Sequence, residues 1–211
     1  TMIRRLPVIP TILVLAAVAT MIGLGIWQIG RAQEKDERIA TLAERVEMSA
    51  ATYPYADPYD ESFLYRTLEA ECSEVIEWQA IGGQDTRGRN GWRQIATCVH
   101  APTDTRFKAD MGVSADPGAD PQWAGGTIRG RAILEPDERG IGELVTRTTR
   151  DAKLMIVAEE AAGDLVPSAQ PQPMAAEENS SWAYAGQWFF FALTAMVVYG
   201  FAVRPRLAGR K

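Results

Sequence analysis

The stretch VIPTILVLAAVATMIGLGIWQI, residues 8–29, runs for 22 residues without a charge. At about 1.5 Å of rise per residue, a helix of that length crosses the roughly 30 Å hydrocarbon layer of a bilayer. Its counterpart near the other end is WAYAGQWFFFALTAMVVYGFAV, residues 182–203, again 22 residues without a charge. Everything else lies between these two runs. The expected architecture is an α+β membrane protein, with two transmembrane helices bracketing a small inserted domain.

Charge orients this hairpin. All 27 Asp and Glu fall between residues 30 and 181, together with 16 of the 22 Lys and Arg, so the middle carries −11 although the whole chain carries −5. The ends hold Arg4, Arg5, Arg204, Arg206, Arg210 and Lys211 and no acid. Basic flanks beside a span stay cytoplasmic. Both termini are therefore expected in the cytoplasm and the acidic middle on the opposite side. The organisation expected is an N-terminal transmembrane helix over 1–30, a periplasmic α+β domain over 31–181, and a C-terminal transmembrane helix with a basic cytoplasmic tail over 182–211. An acidic domain has little with which to neutralise phosphates, so no nucleic acid is expected as partner.

The first run reads as an uncleaved anchor. A signal-peptide cleavage site is conceivable at residues 17–19, but the apolar run continues about ten residues further, longer than a secretory core. The residues ahead of it are not an Arg- and Ser-rich amphipathic presequence, and a bacterial plasma membrane is the expected location. Membrane lipid is thus one expected partner. Cys72 and Cys98 have two open readings. On the oxidising face of a membrane they are a disulfide candidate; otherwise they are two buried thiols.

Within the first span Ala16, Ala19 and Gly23 make a small-residue seam, and Ala185, Ala192 and Ala195 make another in the second. Such seams let helix backbones approach closely in lipid. Beyond Arg31 the helix is expected to continue to about residue 48. There Ile39, Leu42, Ala43 and Val46 form a one-sided apolar stripe on a charged helix. Residues 50–61, with Pro54 and Pro58, read as a loop. The period then shifts towards two, and the expected strands are 63–76, 92–99, 105–113, 127–134 and 154–157. With no long crossover helix between them, these segments predict a small antiparallel sheet or partly closed barrel. The glycines of 82–91 read as a long hairpin tip, 158–162 as a short helix, and PSAQPQP, 167–173, as a stiff extended tether to the second span.

Signs of catalysis are few. The one histidine, His100, stands at a strand end before Ala101 and Pro102 and reads as plain surface. No nucleophile elbow surrounds a serine, and one His with two separated Cys cannot supply a usual zinc site. Glu69, Glu71, Glu74 and Glu77 read as solvated edge charges that discourage strand pairing. No catalytic residue and no metal ligand is assigned, and the expectation is a protein that is not an enzyme.

More unusual chemistry collects at the outer ends of the spans. Trp27, Gln28 and Arg31 end the first, and Trp182, Tyr184, Gln187 and Trp188 begin the second. One reading is an aromatic belt with a snorkelling arginine. The other is a functional layer, because side-chain amides in or near hydrocarbon are costly unless bonded to each other, to backbone or to a partner.

At these residues the chain resembles the surfeit-locus family of cytochrome c oxidase assembly factors. The family's first span ends in a Gly-x-Trp-Gln-x-x-Arg pattern, matched by Gly25, Trp27, Gln28 and Arg31. Its second opens with Tyr-Ala-x-x-Trp-Phe, matched by Tyr184, Ala185, Trp188 and Phe189. Weaker echoes are Tyr65-Arg66 and GTIRG at 126–130. The resemblance implies two spans around a domain on the positive side of the membrane, and a role in haem-copper oxidase assembly by binding.

It also implies haem a as a transient cofactor in oxidase maturation, with oxidase subunits as partners. Family members have been linked to haem binding through a histidine three residues before the tyrosine of the second motif. Here that position is Ser181, a poor axial ligand compared with imidazole. The layer of Trp27, Gln28, Tyr184 and Trp188 is the remaining candidate for cofactor contact, and with Arg31 and Gln187 it is the candidate for partner contact. The departure at Ser181 opens a second reading. The chain would then be a permanently retained accessory subunit of cytochrome c oxidase or of a respiratory supercomplex, its acidic domain docking cytochrome c.

Overall fold

The computed structural model describes residues 7–136, 152–173 and 179–208, with side chains to 205 in the last segment. The basic flank residues Arg4, Arg5, Arg210 and Lys211, and the side chain of Arg206, lie outside the described residues. The chain packs as two compact units, Ala40–Ala176 and the pairing of Thr1–Ile39 with Glu177–Lys211.

The helical unit is built from α1, Val8–Glu47, and α2, Ser181–Ala208. Both are long and apolar enough to cross a membrane. α1 starts beside Pro7, whose carbonyl accepts from the Thr11 amide at 3.0 Å and from the Thr11 hydroxyl at 2.8 Å. A proline there costs no helical hydrogen bond, because the first amides of a helix have no intrahelical partner. α1 runs unbroken past the apolar stretch into the charged extension, and its last turns belong to the other unit, where Leu42 is buried.

That other unit is a seven-stranded sheet: β1 Ala51–Thr52, β2 Thr67–Cys72, β3 Glu74–Gln84, β4 Asn90–His100, β5 Thr105–Ser114, β6 Gly126–Leu134 and β7 Leu154–Ala158. The order across it is β1-β2-β6-β7-β5-β4-β3. The α+β class holds, but the sheet is mixed and open, where an antiparallel sheet or partly closed barrel was expected. β1 pairs with β2, and β5 with β7, in parallel, and β1 and β3 are its edges. The cause lies in β7. Its run Leu-Met-Ile-Val-Ala is buried at every residue, so it needs cover on both faces. As an inner strand it is bonded along both edges, antiparallel to β6 and parallel to β5, and it leaves no edge of its own to solvent.

The core lies on one face and follows the period-two rule. Leu68, Ala70 and Cys72 from β2, Phe107, Ala109 and Met111 from β5, and Leu154, Ile156 and Ala158 from β7 all enter it. Tyr53 is buried among them and donates its hydroxyl to the Leu154 carbonyl at 2.9 Å. Burial pushes that phenol well above its ordinary range. On the opposite face Asp110 is fully buried, ion-paired to Arg93 at 2.6 Å, and accepts from the Ser168 hydroxyl at 2.8 Å and the Gly112 amide at 3.1 Å.

Local departures from the sequence reading have physical causes. The strand expected over 63–76 is instead a 3₁₀ turn, Glu61–Phe63, then Tyr65 at φ 63°, then β2 and β3 broken at Ser73. The Ser73 amide bonds the Val99 carbonyl at 2.9 Å, which turns the chain out of β2. The residues 50–61 hold the short strand β1. The expected hairpin tip shrinks to the turn after Gln84, where Asp85 accepts from the amides of Arg87 and Arg89 at 2.8 and 3.0 Å. Gly83 serves packing here: a Cβ there would lie 2.3 Å from Cδ of Arg93 on the next strand. No helix forms over 158–162, where Ala162 donates to Met111 at 2.9 Å instead. The expected tether at 167–173 is a strap bonded to the sheet. Val166 bridges Val113, Ser168 bridges Asp85, and Arg131 donates to the Pro171 carbonyl at 3.1 Å.

Cys72 and Cys98 are joined by a disulfide, with Cα atoms 5.2 Å apart and both residues buried. β2 and β4 are not neighbours in the sheet order, so this bond ties two distant strands of an open sheet. Replacing both cysteines by serine should lower the stability of the sheet unit by about 3 kcal/mol, the usual worth of a cross-link closing a loop of this size. Urea unfolding of the full chain in detergent, with and without reductant, measures it. Gly130→Ala should also be strongly destabilising, because its Cβ would lie 2.0 Å from the Val157 carbonyl oxygen.

Candidate membrane-border site

The two helices of the helical unit meet along one seam. On α1 the buried residues are Val18, Gly25 and Ala32, spaced by seven, which returns to the same face. On α2 they include Ser181, Ala185 and Ala192. At the centre a Cβ on Gly25 would lie 2.8 Å from Cζ of Phe189. The glycine of the first motif therefore makes room for the phenylalanine of the second. Further along, Thr11 and Tyr199 join by their hydroxyls. The seam expected at Ala185, Ala192 and Ala195 is the one α2 uses, with Ala195 half-buried. The seam expected at Ala16, Ala19 and Gly23 is not used: all three are exposed and nothing approaches Gly23 within 4 Å. Gly25 lies two residues beyond Gly23, about 200° round the helix, and it is the point at which the partner packs.

A polar clasp follows the seam. Asp36 accepts from the Trp182 indole at 2.9 Å and from the Asn179 amide at 2.7 Å, and that amide nitrogen also reaches the Ala32 carbonyl at 2.8 Å. The Asn179 side-chain oxygen accepts from the Ser181 amide at 3.3 Å, capping the start of α2. In the sequence Asp36 is one of many charges on the extension of the first helix, and Trp182 is one aromatic of the border layer. An asparagine three residues before the apolar run is the one available signal.

The six candidate residues sit around this seam. Gln28 and Trp188 are half-buried, and Trp188 meets Phe191 edge-on at 6.2 Å. Trp27 and Tyr184 are exposed by 57% and 52%, and Arg31 and Gln187 are also exposed. Among the described residues no hydrogen bond or ring contact joins Trp27, Gln28 or Arg31 to Tyr184, Gln187 or Trp188. Nor do the side chains of Gln28, Arg31 and Gln187 have polar partners there. The expected pairing of the two amides with each other is not formed.

Ser181 is buried at the first turn of α2. The histidine, His100, belongs to the sheet unit and is more than plain surface. It stacks on Tyr55 at 3.6 Å, and its Nδ1 pairs with the Thr103 hydroxyl at 2.8 Å. Ser181 lacks an imidazole, and His100, the one residue that has it, lies in the sheet unit. Among the described residues no group of three or more His, Cys, Asp or Glu is placed to hold a metal ion.

Two membrane-length helices, paired through a glycine–phenylalanine contact and joined to a β-domain, define a class of protein consistent with a membrane location. The family model described as the SURF1 family matches residues 15–193. The chain belongs to that family, the surfeit-locus family of cytochrome c oxidase assembly factors. No curated protein matches it significantly.

The Gly25 contact yields a paired prediction. Gly25→Leu should destabilise the helical unit by about 1 to 3 kcal/mol through overpacking against Phe189. Gly23→Leu, with open space around it, should stay within about 0.5 kcal/mol of wild type. Thermal unfolding of the full-length protein in detergent measures both.

Proposed function

We propose that this chain acts by binding during maturation of cytochrome c oxidase, and that its membrane border is the binding surface. Membership of a family linked to oxidase assembly supplies the process. The observation that carries the assignment of a site is the outward set Trp27, Arg31, Tyr184 and Gln187. These side chains stand on the two family motifs, away from the seam, with no partner among the described residues. Polar groups near hydrocarbon without partners are costly, and an oxidase subunit that met them would remove that cost.

In this reading the chain lies in a bacterial plasma membrane with both termini cytoplasmic and residues 31–181 periplasmic. The basic residues at both ends support that orientation. The disulfide supports it as well, since such bonds persist on the oxidising side. Haem a insertion into the catalytic subunit would be assisted through protein contacts, with no axial ligand assigned to this chain. The second reading, a retained accessory subunit of the oxidase or a supercomplex, is favoured by one observation, serine in place of histidine at 181.

Deleting the gene and recording the reduced-minus-oxidised spectrum of the membranes separates the two. The assembly reading expects loss of the haem a signal. The subunit reading expects a normal signal with altered turnover or complex size, and an unchanged oxidase on both counts contradicts both. At the residue level, Trp27→Ala and Trp188→Ala should lower oxidase yield severalfold more than Phe190→Ala, which removes an exposed aromatic ring outside the border layer. Equal effects would reduce the border to a lipid belt.

A further inference from the structure

The sheet unit carries a cleft that the membrane border does not use. It measures roughly 280 Å³ and lies along the GTIRG segment at the start of β6. Met111 and Ile128, both buried, form its floor, and half-buried Trp123 stands in its wall, meeting Trp78 edge-on at 6.4 Å. The rim is charged. Arg129 is bound on one side to Glu69 at 2.7 Å and on the other to Glu159 at 3.2 Å. Glu160, also on the rim, has no partner among the described residues.

One cation, Arg129, and two carboxylates, Glu159 and Glu160, line the rim, and Glu69 behind the cation adds a third negative charge, on an already acidic segment of the chain. An apolar floor under an anionic rim fits an occupant with a methylene stem and a cationic head. An aromatic wall adds attraction for that head. A bare metal ion fits poorly, since the carboxylates are not grouped to hold one. We propose that this cleft receives an arginine or lysine side chain presented by a partner protein, with its stem over Met111 and Ile128 and its charge beside Trp123 and Glu160. The proposal rests on the sheet unit alone and stands independently of the membrane-border reading.

The test uses the full-length protein in nanodiscs, with the Trp123 indole signal followed by nitrogen-15 NMR and assigned through Trp123→Phe. The probes are acetyl-Gly-Arg-Gly-amide, its norleucine analogue and spermidine. The arginine peptide should shift the Trp123 signal saturably. Binding should weaken by about fivefold or more with norleucine and in Glu160→Gln, and should fall with added salt. Glu160→Gln leaves both bonds of Arg129 in place, so the fold is not at stake. No shift at Trp123, equal binding of the norleucine peptide, or unchanged affinity in Glu160→Gln would overturn the proposal. Spermidine binding as tightly as the peptide would make the cleft a site for free polyamines and overturn it too.

Discussion

The packing of one aromatic ring against one bare backbone decides what the membrane part of this protein is. Phe189 sits where Gly25 offers no side chain, and any Cβ at that position would meet the ring at 2.8 Å. In lipid there is no hydrophobic effect to press two helices together, so close contact of this kind must hold them. The contact also fixes rotation. With Gly25 facing inward, Trp27 lies about 200° round the helix and Arg31 about 240°, so both point away from the seam. The same logic places Ala185 inside and Tyr184 and Gln187 outside. The border chemistry is therefore a consequence of the seam: Gly25, Ala185 and Phe189 pack, Gln28 and Trp188 are half-buried, and Trp27, Arg31 and Tyr184 face outward.

That contact has to be made by segments far apart in the chain. The Asn179–Ala32 hydrogen bond, part of the same seam, spans 147 residues. Between them the chain builds a sheet whose last strand, β7, goes in between β5 and β6 rather than onto an edge. The segment after β7 is then strapped down by Val166, Ser168 and Pro171 before the second helix begins. A disulfide joins β2 to β4, and the Ser168 hydroxyl bonds Asp110, itself paired with Arg93 on the neighbouring strand, so that the strap is held to the same sheet.

Legibility in the sequence tracks how local the cause is. Span length and lack of charge are local properties, and both spans could be read directly. Period two located most strands for the same reason. The inserted β7 could not be placed, because a short fully apolar run says that both faces are covered and not by what. Gly83 illustrates a second limit. Its meaning lies in the Arg93 side chain on the next strand, so alone it reads as a turn residue. The seam on α1 shows a third. Ala16, Ala19 and Gly23 look as suitable as Val18, Gly25 and Ala32, and only the partner helix distinguishes them. At the border, motif and resemblance picked out the candidate residues, but the clasp of Asp36, Asn179 and Trp182 needed the pairing of two distant segments to be seen.

The central claim is that the outward-facing border residues touch an oxidase subunit. Photo-crosslinking in native membranes tests it most directly, with benzoylphenylalanine placed at Trp27 and at Tyr184, and at Leu193 as a lipid-facing control. The account predicts that the first two positions capture an oxidase subunit and that the control does not. Capture of lipid alone at all three positions, or equal capture of the subunit from Leu193, would contradict it.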